Sequence, residues 1–382
     1  METLNQVLAP AFELSYNGRA ITQEIAPYVT SVSYTDHLSG EADSLDIELE
    51  DSDQRWLNGW YPEKGATLAF KFGYRQQPLV SAGSFDLDEL ECSGPPALVR
   101  LKGMAVGVQQ ALRTHKGRSY EKTTLTAIAQ HVAKRNKMTL TGKIEALQID
   151  RATQYQESDL AFLERLAQQY GYAFKITENN TRLVFWKTAD LLLQKPVRRY
   201  TPGDLSGWTV RDQVSDVPAE VEVTHHNVQT KKLVTYGVKD GETTVVGTSA
   251  GKQTSADTVR VVRRAPNQAV AEAQARAELD RRLLERTSAE VSLMGDPGLA
   301  AGINIELAGF GMLSGLYTIE RATHRINRSE GYTTSLELKR AAPPAQESAG
   351  RSAATPRALT VYGASNGQTQ AVATTALQET NR

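Results

Sequence analysis

The sequence is short of cysteine, of net charge and of long apolar runs, and each shortage excludes a class of protein. Its single cysteine, Cys92, can form no intrachain disulfide and has no companion Cys or His at zinc-ligand spacing. The 43 Lys and Arg residues nearly balance the 44 Asp and Glu residues, so the formal net charge of -1 gives no general attraction to nucleic acid or anionic lipid. No window approaches the roughly 18 apolar residues of a membrane helix. We therefore expect neither membrane insertion nor sequence-specific nucleic acid binding.

Catalytic and metal-binding signatures are equally scarce. The chain has no Gly-rich phosphate loop of the Walker type, no HExxH and no GxSxG between a strand and a helix. Of the six histidines only His225 and His226 are adjacent, and adjacent side chains of a strand point to opposite faces, which disfavours a shared metal. We predict no catalytic residue, no cofactor and no metal site, and we do not expect an enzyme.

Three groups of residues keep alternative functions open. An acidic group could supply paired carboxylates or bind calcium, although a solvated acidic strand edge is the more common arrangement. An aromatic group could stack on a sugar or a nucleobase, although packing beneath a loop is more common. Two arginine doublets lack the interleaved aromatics of a nucleic-acid site. These groups are Asp86, Asp88, Glu89 and Glu91; Trp56, Trp60 and Tyr61; and Arg198-Arg199 with Arg263-Arg264.

Apolar periodicity divides the chain into β, α+β and β regions. In Ser44 to Glu50 and in Leu68 to Tyr74 apolar residues alternate with other residues. This period of two is typical of a strand with one buried and one solvent-exposed face. Between Thr123 and Trp186 the period becomes helical. Strand patterns then return up to Lys339, with one helix inserted near residues 267–286. We predict an α+β, mainly β fold: a first antiparallel β-barrel in 1–112, an α+β unit in 113–200, a second β-barrel in 201–340 and a flexible tail in 341–382.

The helical region carries the clearest start and stop signals. Thr123 can cap a helix that ends near Asn136. Ser158 is a predicted N-cap, apolar residues follow at steps of three and four, and Gly171 can adopt the left-handed conformation that ends a helix. The segments around Glu178-Asn179-Asn180 then predict a β-hairpin.

The order of these parts resembles the phage late control gene D protein family and the hub module of VgrG. The resemblance covers about residues 5 to 340 and is carried by the segments Gln156 to Phe174, Asp43 to Gly65 and Gly295 to Thr334. Its signature residues are structural, because none is an obvious acid, base or nucleophile. They are Ser158, Asp159, Phe162, Leu163, Arg165, Leu166, Gly171, Trp56, Pro62, Gly65, Gly302, Gly315, Tyr317, His324 and Gly331.

The resemblance implies a structural baseplate hub of a contractile phage tail or phage-like particle. Such a hub is a homotrimer whose two barrels per chain form a pseudo-sixfold ring around a central channel, between a sixfold tail tube and a threefold spike. Implied partners are a second copy of the chain, a tail tube or tube-initiator protein, a spike protein and, as a further candidate, the tape measure protein. Because the chain ends about forty residues after the second barrel, we expect the spike to be a separate polypeptide. Assembly would take place in the host cytoplasm.

Two readings compete with the hub, and the tail adds a hypothesis of its own. The competitors are a cell-wall-degrading enzyme of the baseplate and a glycan-binding module that uses Trp56 and Trp60. In the tail, Ala358 to Tyr362 has strand character, so we predict that it adds to an exposed sheet edge of a neighbouring protein. The candidate partner-binding residues there are Leu359, Val361 and Tyr362.

Overall fold

The computed structural model describes residues 8–63, 65–105, 114–177, 181–213, 220–227, 232–239, 258–262, 268–342, 358–365 and 368–376. The expected class is confirmed, because strands dominate and five α-helices accompany them in these residues. None of the helices in the described ranges is long and apolar enough to span a membrane.

The first β region is an antiparallel arrangement in the order β3-β4-β7-β6-β5-β1-β2. Its core confirms the predicted alternation, because Leu45, Ile47 and Leu49 are completely buried. The elements are β1 Pro10–Tyr16, β2 Arg19–Ala20, α1 Thr22–Ile25, β3 Val29–His37, β4 Ser44–Glu50, β5 Thr67–Tyr74, β6 Val80–Ser93 and β7 Leu98–Ala105.

The middle unit packs helices against short sheets, and its hairpin is confirmed as β11 paired with β12. Its elements are β8 Lys116–Thr124, α2 Leu125–Arg135, β9 Thr139–Thr141, β10 Gln148–Glu157, α3 Asp159–Tyr170, β11 Tyr172–Thr177, β12 Arg182–Lys187 and α4 Thr188–Leu192.

Caps define the two main helices of this unit. The Ser158 hydroxyl accepts the Ala161 N–H at 3.1 Å, and Gly171 takes φ +76° at the end of α3, so both predicted caps are confirmed. The cap of α2 differs from the prediction by one residue. The side chain of Thr124, not Thr123, accepts the Ala127 N–H, because β8 continues through Thr124 before the chain turns into the helix.

The last region contributes strands to two sheets. Six of them, β13, β14, β18, β19, β20 and β21, belong to the same sheet as the first region, and three form a separate sheet with the tail. The elements are β13 Arg198–Tyr200, β14 Gly207–Asp212, β15 Glu220–Asn227, β16 Lys232–Lys239, β17 Thr258–Val262, α5 Gln268–Arg286, β18 Thr287–Met294, β19 Asn304–Leu307, β20 Gly315–Asn327 and β21 Gly331–Ala342.

Strands β3 and β20 pair antiparallel from His37 opposite Arg321 to Ser31 opposite Asn327, which joins the first and last regions into one 13-stranded sheet. In the described residues the strand order runs from β14 to β2 without closing on itself. Each region keeps a hydrophobic core of its own, but Tyr332 of β21 packs in the core of the first region.

The helix predicted near residues 267–286 is confirmed as α5, but its neighbours could not be read from the pattern. Its side chains Val270, Ala275 and Leu279 join the core of the middle unit, beside α2 and α3. The apolar spacing of the sequence predicts a stripe of Val270, Ala273, Ala277 and Leu284 for this helix. In the structure Val270 and Ala277 are buried and Ala273 and Leu284 are half-buried, whereas the buried Ala275 and Leu279 lie outside the predicted stripe.

The tail forms two strands, β22 Ala358–Ser365 and β23 Gln368–Ala376. The predicted strand is therefore confirmed, and it does add to a sheet edge, but the edge is β16 of the same chain, with Val361 opposite Val238. At these two strands the structure departs from the flexible tail that we expected, because the backbone groups of β22 find partners on both sides. Addition to a neighbouring protein stays a prediction.

Candidate functional site

Asp36, at the end of β3, lies where the three parts of the chain meet. Its side chain is almost fully buried, and one carboxylate oxygen accepts the backbone N–H of Ala301 from the last region at 2.8 Å. The other accepts a hydrogen bond from the Lys175 ammonium on β11 of the middle unit. The same ammonium pairs with Asp43 at 3.0 Å and donates to the His37 carbonyl at 3.0 Å. We call Asp36, Asp43 and Lys175 the junction cluster.

The charges of the junction cluster are coupled. Burial raises the pKa of the Asp43 carboxyl to about 6, with Lys175 opposing the shift and Asp36 adding to it. Burial alone would lower the pKa of Lys175, but the two carboxylates outweigh it and raise that pKa above its ordinary value. Removing the ammonium would leave two buried carboxylates without their cation, a strongly destabilising change. The cluster therefore fixes the middle unit to both β regions.

Sequence reasoning missed the junction cluster, although a signal was present. Every second side chain of β3 points to the buried face, and Val32, Tyr34 and Asp36 share that face. Asp36 is therefore a carboxylate at a core position. A charged residue at such a position needs a partner. The sequence gives no means of identifying that partner, because Lys175 is 139 residues away.

The signature residue His324 joins the same two β regions at their aromatic core. Its Nε2–H donates to the Leu299 carbonyl at 2.9 Å, and its Nδ1 lies 2.9 Å from the Tyr332 hydroxyl. The ring stacks on Tyr34 and tilts against Phe72, both from the first region. Burial lowers the pKa of His324, so the imidazole is held neutral. The arrangement is that of a satisfied core histidine.

The signature residue Asp159 is completely buried at the start of α3 and holds the middle unit together. Its carboxylate accepts hydrogen bonds from Lys116 at 2.9 Å, Gln154 at 3.0 Å, Asn136 at 3.3 Å and Arg135. Burial opposes ionisation of Asp159, but these four donors outweigh it and keep its pKa below the ordinary value. The group therefore ties β8, α2 and β10 to α3.

The other signature residues occupy structural positions. Phe162, Leu163 and Leu166 are buried in the core of the middle unit, and Arg165 is exposed and pairs with Glu157. Tyr317 is fully buried, and its hydroxyl donates to the Leu313 carbonyl at 2.6 Å. The remaining residues lie in loops, at turns or at strand ends, and the four glycines among them have positive φ. These residues are Pro62, Gly65, Gly302, Gly315 and Gly331. Their role as a signature stays a prediction.

The three alternative groups lie on different segments of the fold. The acidic group lies along β6, where Glu89 and Glu91 stand opposite Lys102 and Arg100 of β7. Arg198 pairs with Asp296 and Arg199 with Glu306. Within the described ranges no group of three or more His, Cys, Asp or Glu residues is placed to hold a metal ion. Arg263 and Arg264 lie outside the described residues, and of His225 and His226 only the backbone, in β15, is described.

The aromatic group does not form an open stacking face. Trp56 is only 5% exposed and packs edge-to-face on Trp60, with Arg55 over the Trp60 ring. Tyr61 is exposed. Because Trp56 lies in the core of the first region, it has no free face for a sugar ring.

A cleft of about 490 Å³ separates the first region from α3, directly beside the junction cluster. Glu164 lies on its wall, where its carboxylate accepts hydrogen bonds from Ser39 at 3.0 Å and Gln168 at 2.7 Å. Burial raises the pKa of Glu164 against these two donors. The helical pattern places Glu164 off the apolar stripe, yet the structure makes it part of the contact between two regions.

Comparison with known proteins agrees with this structural character. The family model of the phage tail baseplate hub (GPD) matches residues 108–330. A probable baseplate hub protein of Escherichia phage 186 is 27% identical over 372 residues, covering 87% of this chain and 93% of the relative. A probable baseplate hub protein of Escherichia phage P2 is 34% identical over 166 residues, covering 43% of this chain and 42% of the relative. The 43 kDa tail protein of prophage MuSo2 from Shewanella oneidensis shares the fold, with a TM-score of 0.63 at 13% identity, covering 87% of this chain and 99% of that protein.

Proposed function

Because this chain belongs to the phage tail baseplate hub family, we propose that it works as a homotrimer that joins the tail tube to a separate spike protein around a central channel. Its place is the baseplate of a phage tail. The threefold ring, the junction between tube and spike, and the channel are the parts that we add.

One observation carries this proposal: the pairing of β3 with β20. It fixes two β regions edge to edge within one chain, and Asp36 and His324 reinforce the joint from both sides. Three such chains would supply six β units in a closed ring. The six β units of this ring would match the symmetry of a sixfold tube, and its three chains would match a threefold spike.

The division of the chain belongs to the same proposal. We infer that residues 1–112 and 201–340 each act as one barrel-like unit of the ring, with 113–200 as an outer α+β unit and 341–382 as a partner-binding tail. Separate cores in the first and last regions support this division. The proposed partners are a tail tube or tube-initiator protein, a separate spike and the tape measure protein. Assembly would occur in the host cytoplasm, and the proposal gives the chain no catalytic role.

Light scattering of the full chain at micromolar concentration, alone and mixed with the cognate spike, tests the trimer. We expect three times the chain mass in at least the mixed sample, with the spike bound. A stable monomer in both samples would contradict the proposal. A turbidity assay on peptidoglycan tests the competing enzyme, and robust clearing by the purified chain would favour that enzyme over a structural hub.

A further inference from the structure

The 13-stranded sheet has two six-residue edges that lack a neighbouring strand within the described residues. One is β14, Gly207–Asp212, which pairs only with β18. The other is the distal half of β6, residues 88–93, because β5 accompanies β6 only as far as Asp86 and the rest of β6 pairs with β7 alone. We call them the β14 edge and the β6 edge.

Strand β1 also lies near an edge of this sheet, but features of the fold hinder its pairing with another strand. Pro10 has no N–H to offer, β2 pairs with Ser15 and Tyr16, and the Leu14 N–H donates to the Thr22 hydroxyl. Natural proteins protect strand edges in this way against unwanted pairing. The β14 edge has no such protection, since its pairing with β18 is regular and it contains neither proline nor bulge.

The two edges lie at opposite ends of eight consecutive strands, in the order β6-β7-β4-β3-β20-β21-β18-β14. Every neighbouring pair in this series is antiparallel. Because the number of strands is even, β14 runs opposite to β6. The β14 edge of one copy laid beside the β6 edge of another therefore continues the antiparallel alternation without a break.

The side chains of the two edges are complementary. The β6 edge carries three exposed residues of the acidic group, Asp88, Glu89 and Glu91, of which Glu89 and Glu91 also stand opposite Lys102 and Arg100 of β7. The β14 edge carries exposed Arg211, whereas Asp212 is already engaged by Arg286 and Thr287. Opposite charges on facing strands favour pairing.

The β14 edge also presents an apolar anchor. Trp208 is 50% exposed and packs edge-to-face on Phe310, and Met312, two positions after Phe310 in the chain, is 55% exposed. Large, half-exposed tryptophans are typical of the centres of protein interfaces. An edge strand that carries such a residue is a surface that association would bury.

We propose that the β14 edge of one copy pairs with the β6 edge of the next copy of this chain, and that this contact is the subunit interface of the ring. The two surfaces differ, so the contact is head-to-tail, the kind that generates a cyclic trimer when the rotation closes. This inference rests on the trimer of the proposed function and adds the strands that build it. It also gives the acidic group of β6 a role that is neither catalytic nor metal-binding.

The chain carries its own probe for this contact, because its single cysteine, Cys92, is exposed and lies on the β6 edge. Facing residues of antiparallel strands have Cβ atoms about 4.5–5.5 Å apart, close enough for a disulfide after a small adjustment. We would make Trp208→Cys, Thr209→Cys, Val210→Cys and Arg211→Cys singly, oxidise each full-length variant, and separate the products on a non-reducing gel. The expected product is a covalent trimer from the β14 position that faces Cys92.

Two controls make the result specific. Adding Cys92→Ser to the cross-linking variant should abolish the covalent trimer. Leu193→Cys places a thiol at an 82% exposed position outside both edges and should yield no covalent trimer. Efficient cross-linking of Leu193→Cys to Cys92, equal to that of the β14 variants, would overturn the proposed interface.

Light scattering on the same samples separates this inference from the proposed function. If the variants are trimeric and none of the four β14 cysteines links to Cys92, the interface is wrong and the trimer stands. If the unmodified chain is a monomer with and without the spike, the trimer fails and the interface fails with it.

Discussion

Buried carboxylates at Asp36, Asp43 and Asp159 connect segments that are far apart in the sequence. Each accepts hydrogen bonds or an ion pair from a different element, and Asp36 and Asp43 share the ammonium of Lys175. Burying a charge is favourable only when partners replace the lost water. At the residue scale, these groups therefore specify which elements meet.

The pH dependence of stability should report on Asp43. Its pKa is raised to about 6 from an ordinary value of 3.8, so the folded protein holds this proton more tightly than the unfolded chain. The stabilisation is fully present below 3.8 and is lost as the pH rises through about 6. We therefore compare the free energy of unfolding of the wild type with that of Asp43→Asn by denaturant unfolding. As the pH falls from about 7 to about 4, the difference should shift in favour of the wild type by on the order of 1–3 kcal/mol.

A surface carboxylate supplies the matched control for this experiment. The side chain of Asp53 is 60% exposed, so Asp53→Asn should follow the wild type at every pH. Parallel curves for the wild type and Asp43→Asn would show that Asp43 does not titrate differently in the fold.

Leu163 tests the buried face of α3. Its side chain is 1% exposed in the core of the middle unit, so Leu163→Ala should cost about 2–5 kcal/mol through lost burial and a cavity. Leu193→Ala is the matched control, because Leu193 is 82% exposed and should change stability by less than about 0.5 kcal/mol. Chemical denaturation measures both. Equal losses would mean that the buried face of α3 has been assigned wrongly.

At the scale of elements, strand edges decide what each segment contacts. Strand β22 covers the edge of β16 from Thr235 to Lys239, and β23 covers β22 in turn. A strand edge without a partner exposes its N–H and C=O groups to pairing with other chains. The tail therefore protects β16 in the structure, and the same backbone groups could pair with a neighbouring protein once the tail is displaced.

Deleting residues 343–382, which follow the end of β21, should uncover that edge without harming the main sheet. We expect faster hydrogen exchange at the amides of Thr235–Lys239 and unchanged exchange in β18, β20 and β21, because the tail pairs with none of those strands. Thermal unfolding of the main sheet should stay nearly constant, whereas binding of the spike should weaken. Unchanged exchange in β16 would show that β22 does not pair there in solution. Spike binding as tight as that of the full chain would remove the proposed role of the tail.

At the scale of the whole molecule, one continuous sheet and the packing of His324 and Tyr332 in the core of the first region connect the first and last regions. Phe72 of β5 lies against His324 and Tyr332, with ring centroids 4.7 Å and 6.1 Å away. Residues that share a core and a sheet are expected to unfold together. The two β regions should therefore behave as one cooperative unit.

Substituting Phe72 tests this cooperativity. Phe72→Ala should cost about 3–5 kcal/mol and should speed global hydrogen exchange in β20 and β21 as much as in β3 and β4. Val80→Ala, at a 41% exposed position of the same region, should leave exchange in all four strands unchanged. Loss of protection confined to β3 and β4 would indicate two independently folding regions.

Local structure could be predicted from the sequence alone. Alternation identified strands such as β4 and β21, steps of three and four identified α3 and α5, and Ser158 and Gly171 marked the ends of α3, because periodicity and capping depend only on near neighbours. The hub resemblance was also available before the fold, and the family match confirms it.

Which of these elements contact one another could be learned only from the folded chain. The joining of β3 to β20, the packing of α5 on the middle unit and the partner of Asp36 all connect residues that are far apart in the sequence. Two strands with suitable faces can pair in many ways, and hydrogen bonds between backbones are the same for every sequence. The choice among these pairings depends on the summed burial and charge pairing of the whole chain, which no local pattern contains.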